Sequence, residues 1–431
     1  MNREKRFKNV EILDIYLNKP HRNYPIIHVT GTDGKGSTSS MIASILIEAG
    51  YKVGTYNTPS MGNRCNIIKI NGTPISLKKL NQLSNNIEKC VLNNNLYYVV
   101  QKNNKIFING RTIESGFLYF KEENVDIAVI EAEIGAATDN TGLVNPIVSV
   151  LTNITSDHLE EFNNDYILYA QEKAGIIKQN TSCLVGETPT NDDAFNILKD
   201  KAKKYNASLT FTDKKENNLI IEYLGNGHYK TKFGEFTMSL GGDYQYNNLN
   251  LVLNTILELR KQGYTISDED IVNGLEKIYE NTKFFGRWQT LNKKPKIILD
   301  CCHTIDAWNK VLCQISKMNY NKLHIIYQAS KDKPLKEIIS LFPDKENVEY
   351  WFPKPTSKTL EAPEKIMDIA NLINHSKKHI TENLIDTIKM LLNEMGEDDV
   401  IFIGGTCKNG RRVIDSIDEI IKNKKNLVFL I

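Results

Sequence analysis

The sequence predicts an α/β protein in which a doubly wound sheet domain carrying a glycine-rich P-loop precedes a smaller Rossmann-like α/β domain. Three observations carry this reading. The apolar run Ile26-Ile27-His28-Val29 breaks at Gly31-Thr32-Asp33-Gly34, then resumes as Met41, Ile42, Ile45 and Leu46 at helical spacing. Asp126–Glu131 and Ile147–Asn153 have the pattern of buried strands, and each ends on polar residues. Beyond Lys283-Phe284-Phe285-Gly286-Arg287, alternating strand and helix patterns start again. A chain of 431 residues is long enough for two or three domains. The boundaries are read as 1–283 and 284–431, with the hinge at Lys283–Arg287.

Taken in order, Val10 to Leu17 is a short amphipathic helix ending near Lys19-Pro20. The glycine loop and its helix follow, and Lys52 to Tyr56 is a second strand, completing a βαβ unit. Residues 80–105 read as a helix and a surface excursion, and Ile113 to Phe120 as a helix. Leu209 to Leu240 is punctuated by Asn-Gly and Phe-Gly and suggests a small β excursion. Asn248–Gln262 and Ser267–Glu280 are helices, the second capped by Ser267 with Asp270 three residues on. In the second domain, strands are expected at 296–300, 322–328, 347–352, 399–404 and 426–430.

Composition narrows the function classes. Apolar residues make up 41% and charged residues 25%, as in globular proteins with substantial cores. The 54 basic and 52 acidic residues leave a net charge of +2, which argues against a nucleic-acid binder. Seven cysteines without paired metal spacing fit reduced thiols, and no apolar run approaches a membrane span. A cytoplasmic monomer without membrane partners is the expectation.

The loop Gly31–Ser37 carries the chemistry. A strand-to-helix glycine loop turns successive backbone N–H groups toward one point, at the positive end of the helix dipole. Lys35 can reach terminal phosphates, and the Ser37 hydroxyl can meet phosphate or a metal. The loop therefore points to ATP or GTP. Glu131, ending its strand, is either a Mg²⁺ ligand or an exposed acid. His158 is either a ligand or a packing residue. Lys173 reads as a solvated helix lysine, or as a buried amine able to capture CO₂ as a carbamate. Asp300 and His303 follow a strand and are placed to contact a ligand. Arg287 is either a phosphate contact or solvated, and Asp306 either joins them or caps a helix.

Gly31-Thr-Asp-Gly-Lys-Gly-Ser37 is shorter than the general phosphate loop and resembles that of the Mur ligase superfamily. With His28-Val29-Thr30, Asn57-Thr58-Pro59, Leu151 to His158, Glu172 to Lys178, Gln245 with Asn248, Gly286-Arg287, Asp300-Cys-Cys-His303 and Lys331-Asp332-Lys333, the chain resembles the folylpolyglutamate synthase and dihydrofolate synthase family. The resemblance implies Mg²⁺ held by Thr58, Glu131 and His158, with Ser37 beside it and Lys173 carbamylated. It implies ATP held by Gly34, Lys35, Gly36, Ser37, Asn248, Arg287 and Asp300 across an interdomain cleft. Lys35, His158, Lys173 and His303 would be the catalytic set. The implied reaction joins L-glutamate to a folate or dihydropteroate carboxylate through an acyl phosphate. The sequence departs from the family pattern at Ser60, at Cys65-Asn66-Ile67, at Ile134 to Gly142, at Phe285 and at Cys301-Cys302. These departures leave two alternatives: a related ligase joining a different carboxylate and amino acid, or a non-catalytic nucleotide-binding relative.

Overall fold

The protein is described by a computed structural model, which covers residues 3–58, 63–94, 96, 99–102, 105–108, 110–155, 159–373, 377–406, 410, 412–417 and 420. Two compact units are present, Met1–Ser239 with Gln245–Phe284, and Leu240–Tyr244 with Phe285–Ile431.

The first unit contains strands β1 Ile26–Thr30, β2 Val53–Tyr56, β3 Ile68–Ile70, β4 Thr73–Pro74, β5 Val99–Lys102, β6 Lys105–Ile108, β7 Ile127–Glu131, β8 Val148–Leu151, β9 Ser182–Val185, β10 Leu209–Phe211, β11 Ile220–Gly225, β12 His228–Thr231 and β13 Gly234–Thr237. Eight of these form one sheet in the order β10-β9-β8-β1-β7-β2-β3-β4. All of its pairings are parallel except those of β3 with β2 and β4. From β1 the chain passes to β2, returns to insert β7, then crosses to β8 on the other side of β1. The loops after β1 and β8 therefore leave at a topological switch point, where α/β sheets hold ligands. Every residue of β1 and β7 is buried, because both faces of the sheet are covered.

Helix Lys35–Glu48 is buried from Ser37 to Leu46. Helix Asp268–Glu276 lies so close to it that a Cβ on Gly274 would stand 2.5 Å from the Ile45 Cα. The Ser44 hydroxyl donates to the Gly274 carbonyl at 2.6 Å, so this polar residue is satisfied inside the core.

The second unit holds β14 Gln289–Lys293, β15 Lys296–Leu299, β16 Leu323–Tyr327, β17 Val348–Pro353, β18 Lys378–Thr381 and β19 Val400–Gly404. Their order is β14-β15-β19-β16-β17-β18, parallel throughout except for β14. Its core is aromatic: Trp308 meets Tyr327 and Phe402 edge-on at 5.5 and 5.6 Å.

Several expectations need correction. The first helix runs Arg3–Tyr16, beginning well before Val10, because long straight side chains extend a helix without an apolar period. The helix expected in 80–105 is present, running Leu77–Asn93, and the excursion after it contains strand β5, which pairs antiparallel with β6. Leu209–Phe211 joins the main sheet, leaving Ile220–Thr237 as the small three-stranded excursion. The helix beginning after Ser267 ends at Glu276, and a separate short helix runs Ile278–Thr282; the Ser267–Asp270 capping box is present. β14 and β18 were not anticipated, and the strand expected at 426–430 lies outside the described residues. Among the described residues, no helix is long and apolar enough to cross a membrane.

Glu114 is a buried acid in the first unit. It is fully buried, and neither carboxyl oxygen has a hydrogen-bond partner. Burial, and secondarily the charge of Asp14, raises its pKa well above the ordinary 4.5. The folded state therefore favours the protonated acid. Its stability contribution is complete below the unfolded-state pKa and drains away as pH rises from there toward the folded-state value. We expect Glu114→Met to raise stability at pH 7 by about 1–3 kcal/mol and to flatten the decline above pH 4.5. Denaturant melts at pH 5 and pH 8 check this, and parallel pH profiles for the two proteins would refute it.

Candidate active site

The loop after β1 takes its shape from backbone freedom and from three neighbouring segments. Gly31 and Gly34 adopt φ of 146° and 80°, conformations natural to glycine. A Cβ on Gly31 would stand 1.7 Å from the Thr152 hydroxyl, and one on Gly34 would stand 2.3 Å from Asn248 Oδ1. Asn153 Oδ1, just past β8, accepts from the Thr32 and Asp33 amides at 3.2 and 3.0 Å. Thr32 Oγ1 lies 2.9 Å from the Tyr169 hydroxyl. Lys35 Nζ arches back to donate to the Gly31 and Thr32 carbonyls at 3.0 and 2.8 Å. Gln245 Nε2, fully buried, donates to Ser37 Oγ at 3.2 Å, and Asn248 Nδ2 donates to Gln245 Oε1 at 2.8 Å. The structure thus brings Gly34, Lys35, Gly36, Ser37 and Asn248 together.

Lys173 is not solvated. It is 2% exposed, lies over the Tyr169 ring at 4.6 Å, and donates from Nζ to the Gly31 carbonyl at 2.7 Å. It is not the solvated helix lysine the sequence allows, because helix Tyr166–Ala174 turns this residue into the core beneath the loop. Its neighbour Glu172 accepts from the Thr138 amide and hydroxyl at 2.7 and 2.9 Å, fixing the segment after Glu131. Asp139 takes the amides of Glu133 and Ile134 on one oxygen and Thr141 on the other. The Thr141 hydroxyl donates to Asp139, so His28 Nε2, 2.8 Å away, is the donor to Thr141. Burial, with the charge of Lys178, pushes the His28 pKa down to about 3, so this histidine stays neutral.

Glu131 ends β7 almost fully buried and faces the loop, since a Cβ on Gly36 would stand 3.7 Å from its Oε2. Asn57 Nδ2 donates to that oxygen at 3.0 Å. Thr58 Oγ1 is buried without a hydrogen-bond partner. Carboxylate and hydroxyl oxygens of this kind suit a hard cation such as Mg²⁺. Among the described residues, no three His, Cys, Asp or Glu side chains gather to hold a metal. His158 and Ser60 lie outside the described residues.

Within the second unit, Asp300 is buried at the end of β15. It accepts from the Trp288 amide at 2.7 Å and the Tyr244 hydroxyl at 2.6 Å on one oxygen, and from the Cys302 amide at 2.8 Å on the other. Burial raises its pKa, opposed by the charge of Arg287 and by these donors. Arg287 Nη1 donates to the Gly286 carbonyl at 2.9 Å. His303 Nδ1 donates to the Cys301 carbonyl at 2.9 Å, which fixes the ring. Thr304, not Asp306, caps the following helix, and Asp306 pairs with Lys310 at 2.7 Å. The sequence reading did not single out Asn153, Tyr169 or Tyr244. Asn153 carried a signal, its position immediately past a buried strand.

Residues 29–256 match the Mur ligase middle domain. Over 412 aligned residues the chain is 28% identical to the dihydrofolate synthase/folylpolyglutamate synthase of Bacillus subtilis, covering 90% of each protein. The chain belongs to the folylpolyglutamate synthase/dihydrofolate synthase family of ATP-dependent glutamate ligases. Solved structures share the family fold. The Mycobacterium tuberculosis folylpolyglutamate synthase complexed with ADP superposes with a TM-score of 0.78 at 20% identity, over 95% of this chain and 94% of that one. E. coli FolC in complex with DHPP and ADP gives 0.75 at 19% identity, over 95% and 92%. In family terms, the departures at Cys65-Asn66-Ile67 and Ile134 to Gly142 fall on a short turn capped by Asn63 and on the segment fixed by Glu172 and Asp139.

Proposed function

We propose that this family member joins L-glutamate to a folate-type carboxylate, with ATP and Mg²⁺ as its cofactors. The observation that carries the reading is the loop Gly31–Ser37, buried at its base and braced by Asn153, Lys173 and the Gln245–Asn248 pair. A carboxylate oxygen attacks the terminal phosphorus, the bond to the ADP oxygen breaks, and an acyl phosphate forms. The glutamate amine then attacks the acyl carbon, phosphate leaves, and the amine gives up its proton. Such transfer needs positioned charge more than covalent chemistry. The loop amides and Lys35 are assigned to the phosphates. Ser37, Thr58 and Glu131 are assigned to Mg²⁺, with His158 as a further ligand. When bound, Mg²⁺ supplies charge neutralisation on the phosphate oxygens. Arg287 and Asp300 are assigned to the nucleotide and His303 to the reacting groups. ADP and DHPP, named with the E. coli structure, support a nucleotide and a folate-type acceptor.

The test is ATP-dependent phosphate release with glutamate and dihydropteroate, tetrahydrofolate or no acceptor. Release is expected only with an acceptor, and the better acceptor assigns the substrate. Release indifferent to both pterins would overturn the folate reading and favour a ligase for another carboxylate.

A further inference from the structure

Arg3, on the first helix, makes contacts that neither the loop chemistry nor the family comparison assigns. Its Nη2 donates to the Ile134 carbonyl at 2.6 Å and its Nε to the Thr138 hydroxyl at 3.3 Å. Nη1 donates to Glu161 at 2.8 Å, Nη2 lies 3.6 Å from Glu172, and the guanidinium sits 4.8 Å from the centre of the Phe162 ring. These partners come from three segments between residues 134 and 172, all more than 130 residues beyond Arg3. Ile134 is three residues past Glu131, Thr138 is held by Glu172, and Glu172 immediately precedes Lys173. The guanidinium fork therefore ties the segment that follows Glu131 to the helix that delivers Lys173 beneath Gly31. A planar group with several fixed donors spans such partners at once, whereas an ammonium offers a single point.

We propose that Arg3 is a positioning residue for the ligation reaction, holding the Glu131–Thr138 segment and the Glu172–Lys173 turn in register. The inference rests on the roles assigned above to Glu131 and Lys173. Arg3 touches none of the loop amides that would bind phosphate, so its loss should affect turnover more than nucleotide affinity.

The experiment compares wild type, Arg3→Ala and Arg3→Lys by steady-state kinetics and by amide hydrogen exchange. Arg3→Ala should lower kcat about tenfold and leave the KM for ATP within about twofold. It should also speed exchange at Ala136, Ala137 and Thr138, whose amides bond to Glu172. Arg3→Lys should fall between the two in both measurements and serves alone if Arg3→Ala does not fold. Local exchange that accelerates without a change in kcat means that Arg3 holds the segment but that the roles of Glu131 and Lys173 are wrong. Unchanged local exchange overturns the tie itself. A loss of protection across the whole first unit assigns Arg3 to stability and overturns the positioning role.

Discussion

Lys35→Ala is expected to fold normally and to lose at least a hundredfold in kcat. Lys35 is the only cation within Gly31–Ser37, and it sits at the first helical position after the loop. Its Nζ rests on the Gly31 and Thr32 carbonyls, a position from which the side chain can reach a phosphate by bond rotation alone. Removing one preorganised charge or donor from a transition-state site costs about 10²–10³ in rate, some 3–4 kcal/mol. The fold should tolerate the change, because Lys35 is partly exposed and Asn153, Tyr169 and Lys173 hold the loop without it. Circular dichroism with single-turnover phosphate release tests both halves. Wild-type release from a folded variant would falsify the assignment.

The second large effect is expected at Lys173. Truncation to Ala removes the buried donor to the Gly31 carbonyl, which keeps only its bond from Lys35 Nζ at 3.0 Å, at a local cost of about 1 kcal/mol. Activity should drop by about two orders of magnitude or more. Acetate or formate separates the two ways in which Lys173 can act. If the working form is the carbamate, a small anion in the vacated space restores part of the rate. If the ammonium itself struts the loop, small anions do nothing and methylamine is the better rescuer. Lys173→Arg should be rescued by neither, because the guanidinium fills the space and stays charged. Near-normal activity in both variants would sink either role.

How much of this was legible depends on where each signal resides. β1, β7 and β8 are buried on both faces, so each is a predominantly apolar run, interrupted only by His28 and Ser149 and ending polar in β1 and β7, that announces itself. Gly31 and Gly34 are legible for a related reason, since the turn needs backbone angles that few other residues adopt. Lys173 gave no such sign. Its burial comes from Tyr169 and from a loop more than a hundred residues earlier, and no local pattern encodes that. Arg3 was hidden for the same reason, its partners lying beyond residue 130. β14 and β18 are edge strands of the second sheet, and Gln289-Thr-Leu-Asn-Lys and Lys378-His-Ile-Thr carry little of the apolar alternation that marks a strand. Asp300 shows a third case. Its place at a strand end was readable, but its three donors lie on residues 244, 288 and 302, which only the folded chain assembles.

The near-contact of Gly31 with Thr152 has an evolutionary side. With 1.7 Å between a hypothetical Cβ at residue 31 and the Thr152 hydroxyl, residue 31 cannot gain a side chain while that hydroxyl is in place. Shrinking residue 152 relieves only the hydroxyl contact, so residue 31 is held to glycine both by its neighbour and by its own backbone angle. Thr152 also donates to the Asp33 carbonyl, so the shrinking step itself loosens the loop. A double-mutant cycle on Gly31→Ala and Thr152→Ala should accordingly show coupling without full rescue: Gly31→Ala is harmful in both backgrounds, because its φ of 146° strains any side chain and the Cβ and amide of residue 152 stay within 3.0 and 3.1 Å, but it is less harmful once the hydroxyl is gone. Two positions that look like separate punctuation in the sequence behave as one heritable unit.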